Sequence, residues 1–77
     1  MKKLRVFGAG WCVNCKQLTK QLDQRKVEYE YVDIDVEPTM AKAYEIRSLP
    51  TSVIADEDSY VVITGANADD ILKAMND

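Results

Sequence analysis

The chain contains no histidine, and this absence removes several kinds of chemistry at once. Ser–His and Cys–His nucleophile pairs, imidazole metal ligands and imidazole acid–base catalysis are all excluded. Only two cysteines, two prolines and three glycines occur among the 77 residues, and this composition argues against a collagen-like repeat. Few catalytic options remain, and the two cysteines are among them.

Positive charge and long apolar runs are also scarce. Ten Lys and Arg stand against 13 Asp and Glu, for a net charge of −3 at pH 7, which argues against nucleic acid or an anionic membrane as a partner. No segment approaches the roughly 18 apolar residues of a membrane span. The first apolar stretch is broken by Arg5 and is too short for a secretion signal. We therefore expect a cytoplasmic protein, where a close cysteine pair is more often catalytic or metal-binding than a structural staple.

The length predicts a single domain over residues 1–77, which we expect to be monomeric. Hydrophobic residues make up 47% of the chain and charged residues 30%, an ordinary globular mixture. A chain of this size buries only about 60% of the surface that it exposes when unfolded. The core is therefore expected to be small and built from few elements.

Hydrophobic periodicity and breaker residues predict seven elements in the order β-α-β-α-β-β-α. The strands are predicted over residues 4–7, 27–35, 51–55 and 60–64. The helices are predicted from Cys12 to about Lys26, from Pro38 until Leu49-Pro50 stops the helix, and after an N-cap at Asn67. A right-handed β-α-β crossover makes the first two strands parallel, and the last two form a hairpin. The sequence thus predicts an α/β fold, with a four-stranded mixed sheet and three helices on its two faces.

The strongest chemical signal is Trp11-Cys12-Val13-Asn14-Cys15-Lys16, where the first strand and its loop pass into a helix. Cys12 lies at the helix start, where unpaired N–H groups and the helix dipole favour its reactive thiolate. Cys15, three residues on, shares the same helix face and is within reach of a disulfide. Because Cys12 is at the exposed end, we expect it to attack first, and Cys15 to resolve the mixed disulfide.

Two other interpretations of the cysteine pair stay open. A CxxC can be half of a zinc or iron–sulfur site, but such a site takes about four ligands. Without a histidine or a third cysteine, it would need a second chain or external thiols, as in a non-enzymatic metal or cluster carrier. The pair could also be inert in an adaptor protein. The acidic run 56–58 is interpreted as a solvated turn, and no metal is assigned to the site.

The motif Trp11-Cys12-x-x-Cys15-Lys16 resembles the active-site motif of the thioredoxin–glutaredoxin superfamily. Three later stretches resemble landmarks of that superfamily in the same order: Val32-Asp33-Ile34-Asp35, the run from Tyr44 to Thr51, and Thr64-Gly65-Ala66. The resemblance covers nearly the whole chain but lacks the first strand and helix of a thioredoxin. It implies a thioredoxin-like fold and a compact thioredoxin-like or glutaredoxin-like dithiol–disulfide oxidoreductase.

The resemblance also implies roles for residues around the cysteines. Pro50 would be a cis-proline facing the sulfurs, although an ordinary trans-proline that ends a helix is the alternative. Trp11 would lie on the docking face beside the sulfurs, with a core anchor as the alternative. The substrate-binding residues implied in this way are Trp11, Lys16, Leu49, Pro50, Thr51 and Gly65.

A redox cycle without a bound cofactor follows from the same resemblance. The substrate would be a disulfide-containing protein, with ribonucleotide reductase as one candidate, and the oxidised chain would be reduced by a thioredoxin-reductase-type flavoprotein or by glutathione. Asp69 or Asp70 could meet the ammonium group of glutathione, although acids at a helix N-terminus are also ordinary.

One departure from the superfamily concerns the far side of the disulfide. Thioredoxins place a buried acid and a lysine there, and these positions fall on Val6 and Tyr31 in this chain. The proton of Cys15 would then leave through water or the thiolate of Cys12. Tyr31 is itself assigned to packing on the sheet.

Overall fold

The structure, a computed structural model, describes residues 2–76. These residues form seven elements in the predicted order: β1 (Lys3–Gly8), α1 (Val13–Gln24), β2 (Glu30–Asp33), α2 (Pro38–Ala43), β3 (Thr51–Ala55), β4 (Tyr60–Thr64) and α3 (Ala68–Asn76). The strands make one mixed sheet in the order β2-β1-β3-β4. β1 is parallel to β2 and antiparallel to β3, and β3 is antiparallel to β4. The predicted α/β fold is confirmed.

The central strand β1 supplies both layers of the core, because consecutive residues of a strand point to opposite faces of the sheet. Val6 lies on the face that α1 and α3 cover, where it packs in a cluster with Leu4, Leu18, Leu22, Ile54 and Ile71. Phe7 lies on the opposite face, with Val32, Val53 and the partly buried Met40 and Tyr44 from the α2 region. Helices therefore cover both faces of the sheet, as predicted, and β1 runs between them to the loop that carries the cysteines.

Two of the helices end in the same type of backbone turn. In both turns the residue with positive φ is not glycine. After α1, Lys26 has φ 56°. Its N–H donates to the carbonyl of Asp23 at 3.1 Å, and the N–H of Val27 donates to the carbonyl of Leu22 at 3.0 Å. This pair of hydrogen bonds is the Schellman motif, which usually has glycine at the left-handed position. Glu45, with φ 55°, occupies the same place after α2.

This turn ends α2 earlier than the sequence predicts. Pro38 begins the helix as predicted, but the expectation that Leu49-Pro50 stops it is wrong, because α2 ends at Ala43. The second strand is also shorter than the predicted 27–35. Only Glu30–Asp33 pairs with β1. Residues 27–29 belong to the connection between α1 and the strand. No helix within residues 2–76 has the length and apolar character that a membrane span requires.

Candidate active site

The two cysteines lie where α1 begins, as predicted. Cys12 is the N-cap residue, with extended backbone, and its sulfur accepts a hydrogen bond of 3.1 Å from the backbone N–H of Cys15. The two residues are joined by a disulfide with a Cα–Cα distance of 5.3 Å, which is common for such bonds. When the disulfide opens, the Cys12 sulfur occupies the position where unpaired N–H groups of the helix stabilise negative charge.

The two sulfurs differ in their access to other molecules. Cys12 is 7% exposed and Cys15 is 0% exposed. Both belong to a small cluster with Ala9, against which the partly buried Ile34 and Leu49 pack. Cys12 also lines an open groove, whereas Cys15 does not. Among the described residues, the groove therefore gives other molecules access to the sulfur of Cys12, whereas the sulfur of Cys15 is enclosed.

The groove beside Cys12 has a volume of about 430 Å³. One wall is formed by residues 11–14 at the start of α1, and the other by residues 46–49 before the proline, together with Ile34. Exposed apolar side chains border it, since Trp11 and Val13 stay largely accessible. The groove thus combines the Cys12 sulfur with largely apolar walls, to which Asn14, Arg47 and Ser48 add polar groups. Sequence reasoning did not single out Ile34 or residues 46–48 as its lining.

Trp11 lies at the surface rather than in the core, so the core-anchor alternative is wrong. Its side chain is 68% exposed, and its Nε1–H donates to Oδ2 of Asp35 at 3.0 Å. Asp35 follows β2, and its own N–H donates to Oδ1 of Asp33 at 2.9 Å. The carboxylate of Asp35 therefore holds the indole beside the groove. The sequence placed Asp35 in a landmark stretch, but it offered no signal for this contact.

The peptide bond between Leu49 and Pro50 is cis, as predicted. Leu49 is half-buried on the groove wall, and Pro50 is buried. Thr51 is only 1% exposed, and its Oγ1–H donates to the carbonyl of Ser48 at 2.6 Å. The side chain of Thr51 therefore faces inward. Its hydrogen bond to Ser48 holds the loop in shape.

Gly65 lies beside this proline loop. Its N–H donates to the carbonyl of Pro50 at 2.9 Å, and its φ of 99° falls in the region that favours glycine. It is exposed, and a β carbon there would meet no atom within 4 Å. Gly65 therefore leaves open space next to the loop. Lys16, by contrast, is exposed on α1 and does not line the groove.

The acids at the start of α3 have contacts typical of a helix N-terminus. Oδ1 of Asn67 accepts hydrogen bonds from the N–H groups of Asp69 and Asp70, at 3.0 and 3.3 Å, which confirms the predicted N-cap. The carboxylate of Asp69 forms an ion pair with Arg25 at the end of α1. Asp69 is thus engaged within the protein. In the part of the chain that the structure describes, no group of three or more acidic or cysteine side chains could hold a metal ion.

The inner side of the disulfide contains a feature that sequence reasoning missed. A β carbon on Gly8 would lie 3.0 Å from Sγ of Cys15 and 2.5 Å from the hydroxyl oxygen of Tyr31. The bare backbone of Gly8 therefore lets both atoms approach β1. Burial raises the pKa of Tyr31, and the negative charge of Asp33 adds to this effect. In the sequence, Gly8 indicated only the end of a strand, and nothing linked it to Tyr31.

Comparison with known proteins agrees with this geometry. The family model for thioredoxin matches residues 2–77. The chain belongs to the thioredoxin family. The thioredoxin of Staphylococcus aureus is 33% identical over an alignment of 54 residues, and the alignment covers 62% of this chain and 52% of that protein. The chain therefore spans about half the length of the curated relatives it matches.

Solved thioredoxin structures share the fold over nearly the whole chain. The oxidised form of mitochondrial thioredoxin 3 from Saccharomyces cerevisiae is 31% identical, with a TM-score of 0.80, covering 97% of this chain and 76% of that one. Spinach chloroplast thioredoxin f is 29% identical, with a TM-score of 0.85, covering 97% and 68%. Fasciola hepatica thioredoxin, 23% identical with a TM-score of 0.86 and coverage of 97% and 78%, shows the shared fold alone. The resemblance found in the sequence is confirmed, and these relatives are thioredoxins.

Proposed function

We propose that this thioredoxin-family chain is a thiol–disulfide oxidoreductase that reduces disulfides in other proteins through Cys12 and Cys15. The observation that carries the proposal is the disulfide at the start of α1, with one sulfur on an open groove and the other fully enclosed. Membership of the thioredoxin family supports the same class of reaction. No bound cofactor is required, because the two electrons reside in the cysteine pair.

In the first step, the thiolate of Cys12 attacks one sulfur of the target disulfide. A new S–S bond joins Cys12 to the target, and the other target sulfur leaves as a thiolate that takes up a proton from water. The backbone N–H of Cys15, which donates to Sγ of Cys12, and the helix dipole stabilise the attacking thiolate. The enclosed Cys15 cannot make this first attack.

In the second step, Cys15 loses its proton and attacks Sγ of Cys12. The bond between Cys12 and the target breaks, and the second target sulfur leaves with the electron pair and takes up a proton. The Cα–Cα distance of 5.3 Å lets the two cysteines close their disulfide without a change of backbone. Two electrons have then passed from the chain to the target.

The groove is the proposed binding site for the peptide segment that flanks the target disulfide. Trp11 and Leu49 contribute its apolar walls, and Pro50 and Gly65 shape the adjacent loop. Thr51 would act indirectly, through its bond to the loop carbonyl of Ser48. Of the predicted substrate-binding residues, Lys16 has the least support, because its exposed side chain does not line the groove.

We propose a thioredoxin-reductase-type flavoprotein, rather than glutathione, as the reductant of the oxidised chain. Family membership supports this choice, and the Asp69 carboxylate is already paired with Arg25. To test it, the oxidised protein is offered NADPH with either thioredoxin reductase or glutathione and its reductase, and NADPH consumption is followed. Faster consumption with the glutathione couple would contradict the choice. Ribonucleotide reductase as target, a cytoplasmic location and a monomeric state stay predictions.

The decisive experiment is insulin disulfide reduction by the wild-type chain, Cys12→Ser and Cys15→Ser. We expect activity in the wild type and none in Cys12→Ser, because the attacking sulfur is gone. Cys15→Ser should accumulate a mixed disulfide with the target, visible by mass spectrometry and released by dithiothreitol. Gln17→Ser, an exposed position of the same helix, is the control and should behave as wild type. An active Cys12→Ser variant, or no adduct with Cys15→Ser, would refute the mechanism.

A further inference from the structure

Behind the disulfide, the missing side chain of Gly8 leaves a gap that two polar atoms border. A β carbon there would lie 2.5 Å from the hydroxyl oxygen of Tyr31 and 3.0 Å from Sγ of Cys15. Both atoms therefore lie against the position that a side chain of residue 8 would occupy, and they leave too little room there for a methyl group. The sum of the two distances is the upper limit of their separation, so one bridging water or a small movement of the ring can connect the hydroxyl to the sulfur.

Tyr31 reaches this gap from the neighbouring strand. Its Cα partner on β1 is Val6, so its side chain starts on the face of the sheet that α1 covers, where Val6 belongs to the core. The residue is 42% exposed, although its hydroxyl end is at Gly8. Burial raises the pKa of Tyr31, and the Asp33 carboxylate raises it further. The hydroxyl therefore keeps its proton at neutral pH and is a hydrogen-bond donor, not a base.

The apolar neighbours of Cys15 offer little stabilisation to a negative charge on its sulfur. Its sulfur is fully enclosed, and the side chains in its cluster are those of Ala9 and Cys12, with Ile34 and Leu49 packed against them. None of the three apolar side chains can donate a hydrogen bond. Desolvation in such surroundings raises the pKa of a thiol and lowers the fraction of reactive thiolate.

We propose that the Tyr31 hydroxyl donates a hydrogen bond, directly or through one water, to the Cys15 sulfur when it becomes the resolving thiolate. This inference rests on the proposed function. The Cys15 proton passes to solvent, and the thiolate then attacks Sγ of Cys12 and displaces the target sulfur with its electron pair. Tyr31 keeps its own proton throughout. It is a positioning residue that stabilises charge, and it is neither the acid nor the base of the step.

The expected size of the effect follows from the chemistry of thiolates. A hydrogen bond to a charged group, weakened here by partial exposure, shifts the thiol pKa by about one unit. Because thiolate nucleophilicity falls less steeply than pKa, with a Brønsted coefficient of about 0.4–0.5, a thiol pKa one unit lower raises the rate at neutral pH about three- to fourfold. The hydroxyl should therefore speed resolution by that factor.

The test compares Tyr31→Phe, which removes the hydroxyl and keeps the ring, with the parent chain. In a Cys12→Ser background Cys15 is the only thiol, and the pH dependence of its labelled β-carbon NMR shift reports its pKa. We expect this pKa to rise by about one unit in Tyr31→Phe. In the chain with both cysteines, release of the target from the mixed disulfide should slow about three- to fourfold at neutral pH.

Tyr29→Phe is the matched control. It also removes a tyrosine hydroxyl whose pKa is raised by burial, but this hydroxyl donates to Asp23 at the surface. It should leave the Cys15 pKa unchanged. An unshifted Cys15 pKa in Tyr31→Phe, or an equal shift in Tyr29→Phe, would overturn the inference.

A second substitution keeps the test valid if Tyr31→Phe does not fold. Replacing Tyr31 with 3-fluorotyrosine makes the hydroxyl a stronger donor in the same place, so the Cys15 pKa should fall. An unchanged or higher value would count against the hydrogen bond. The proposed function is tested separately, because a wild-type chain that reduces no insulin refutes that function, whatever the Cys15 pKa.

Discussion

The two sulfurs of the disulfide have different surroundings. On the outer side, Cys12 borders an open groove with exposed apolar residues, and a backbone N–H donates to its sulfur. On the inner side, Cys15 lies among apolar side chains, next to a bare glycine and a tyrosine hydroxyl. In the proposed mechanism, this difference in access decides which sulfur attacks first. With the proposed hydrogen bond from Tyr31, each thiolate has its own donor, a helix amide for Cys12 and a phenol for Cys15.

Filling the gap on the inner side is expected to have the largest effect on stability. Gly8→Ala would place a methyl group 2.5 Å from the hydroxyl oxygen of Tyr31 and 3.0 Å from Sγ of Cys15, so the ring or the strand must move. We expect the free energy of unfolding to fall by about 1–3 kcal/mol, as in other overpacked sites. Denaturant unfolding of the oxidised chain measures it. Gly10→Ala is the control, because no atom lies within 4 Å of its β-carbon position; equal stability of the two variants would contradict the packing.

The difference in access can be measured directly in the reduced chain. Cys12 borders the groove at the helix N-terminus, whereas Cys15 is 0% exposed. Iodoacetamide should therefore alkylate Cys12 faster than Cys15 by about tenfold or more, because both exposure and thiolate fraction favour it. Brief labelling followed by peptide mass spectrometry gives the ratio. Equal alkylation rates, or preferential labelling of Cys15, would contradict the difference in access between the two sulfurs.

On the outer side, the indole of Trp11 is held by one hydrogen bond to Asp35. Trp11→Phe keeps an aromatic ring but removes the donor, and we expect KM for insulin to rise about two- to fivefold, as for a lost bond of about 0.5–1 kcal/mol. Asp35→Asn retains an acceptor oxygen for the indole and should therefore raise KM for insulin less than Trp11→Phe does. Steady-state kinetics with insulin and with a small disulfide separates docking from chemistry. An equal loss of activity with the small disulfide would show that Trp11 acts in the chemical step rather than in docking.

Substitutions at the C-terminal end of α1 should change the free energy of unfolding without altering the surroundings of either cysteine. Lys26 has φ 56°, where glycine avoids the steric cost of a β carbon, so Lys26→Gly should raise the free energy of unfolding by about 0.5 kcal/mol. Lys20→Gly, inside the same helix, should instead lower it by about 1 kcal/mol. Thermal unfolding of both variants tests this. A change in the Cys15 pKa in Lys26→Gly would show that the helix end and the site are coupled.

Local patterns in the sequence predicted much of the fold and the core of the site. The CxxC spacing and the change from strand to helix placed Cys12 and Cys15 correctly, and β3 and β4 have their predicted bounds. The end of α2 was wrong, because Glu45 adopts a positive φ that sequence patterns assign to glycine. The predicted length of β2 was also wrong. A run of β-branched and aromatic residues does not show how much of it finds a partner strand.

Contacts between distant segments were beyond the reach of those patterns. The bond from Trp11 to Asp35 joins residues 24 positions apart, and the approach of Tyr31 to Cys15 depends on the register between β1 and β2. Thr51 was expected to help shape the docking surface, but no local pattern indicated that its side chain would turn inward to the carbonyl of Ser48. Each of these depends on which side chains three-dimensional packing brings together.

By itself, the sequence determined which groups are present for the proposed chemistry: two cysteines one helical turn apart, no histidine, and a strand–loop–helix order that places the first cysteine at a helix N-terminus. These are local properties, because they depend on residue type and on spacing along one segment. Only the tertiary structure decided that one sulfur borders a groove and the other a tyrosine hydroxyl. Burial and neighbours come from strand register and from the packing of α1 on the sheet, which no single segment specifies.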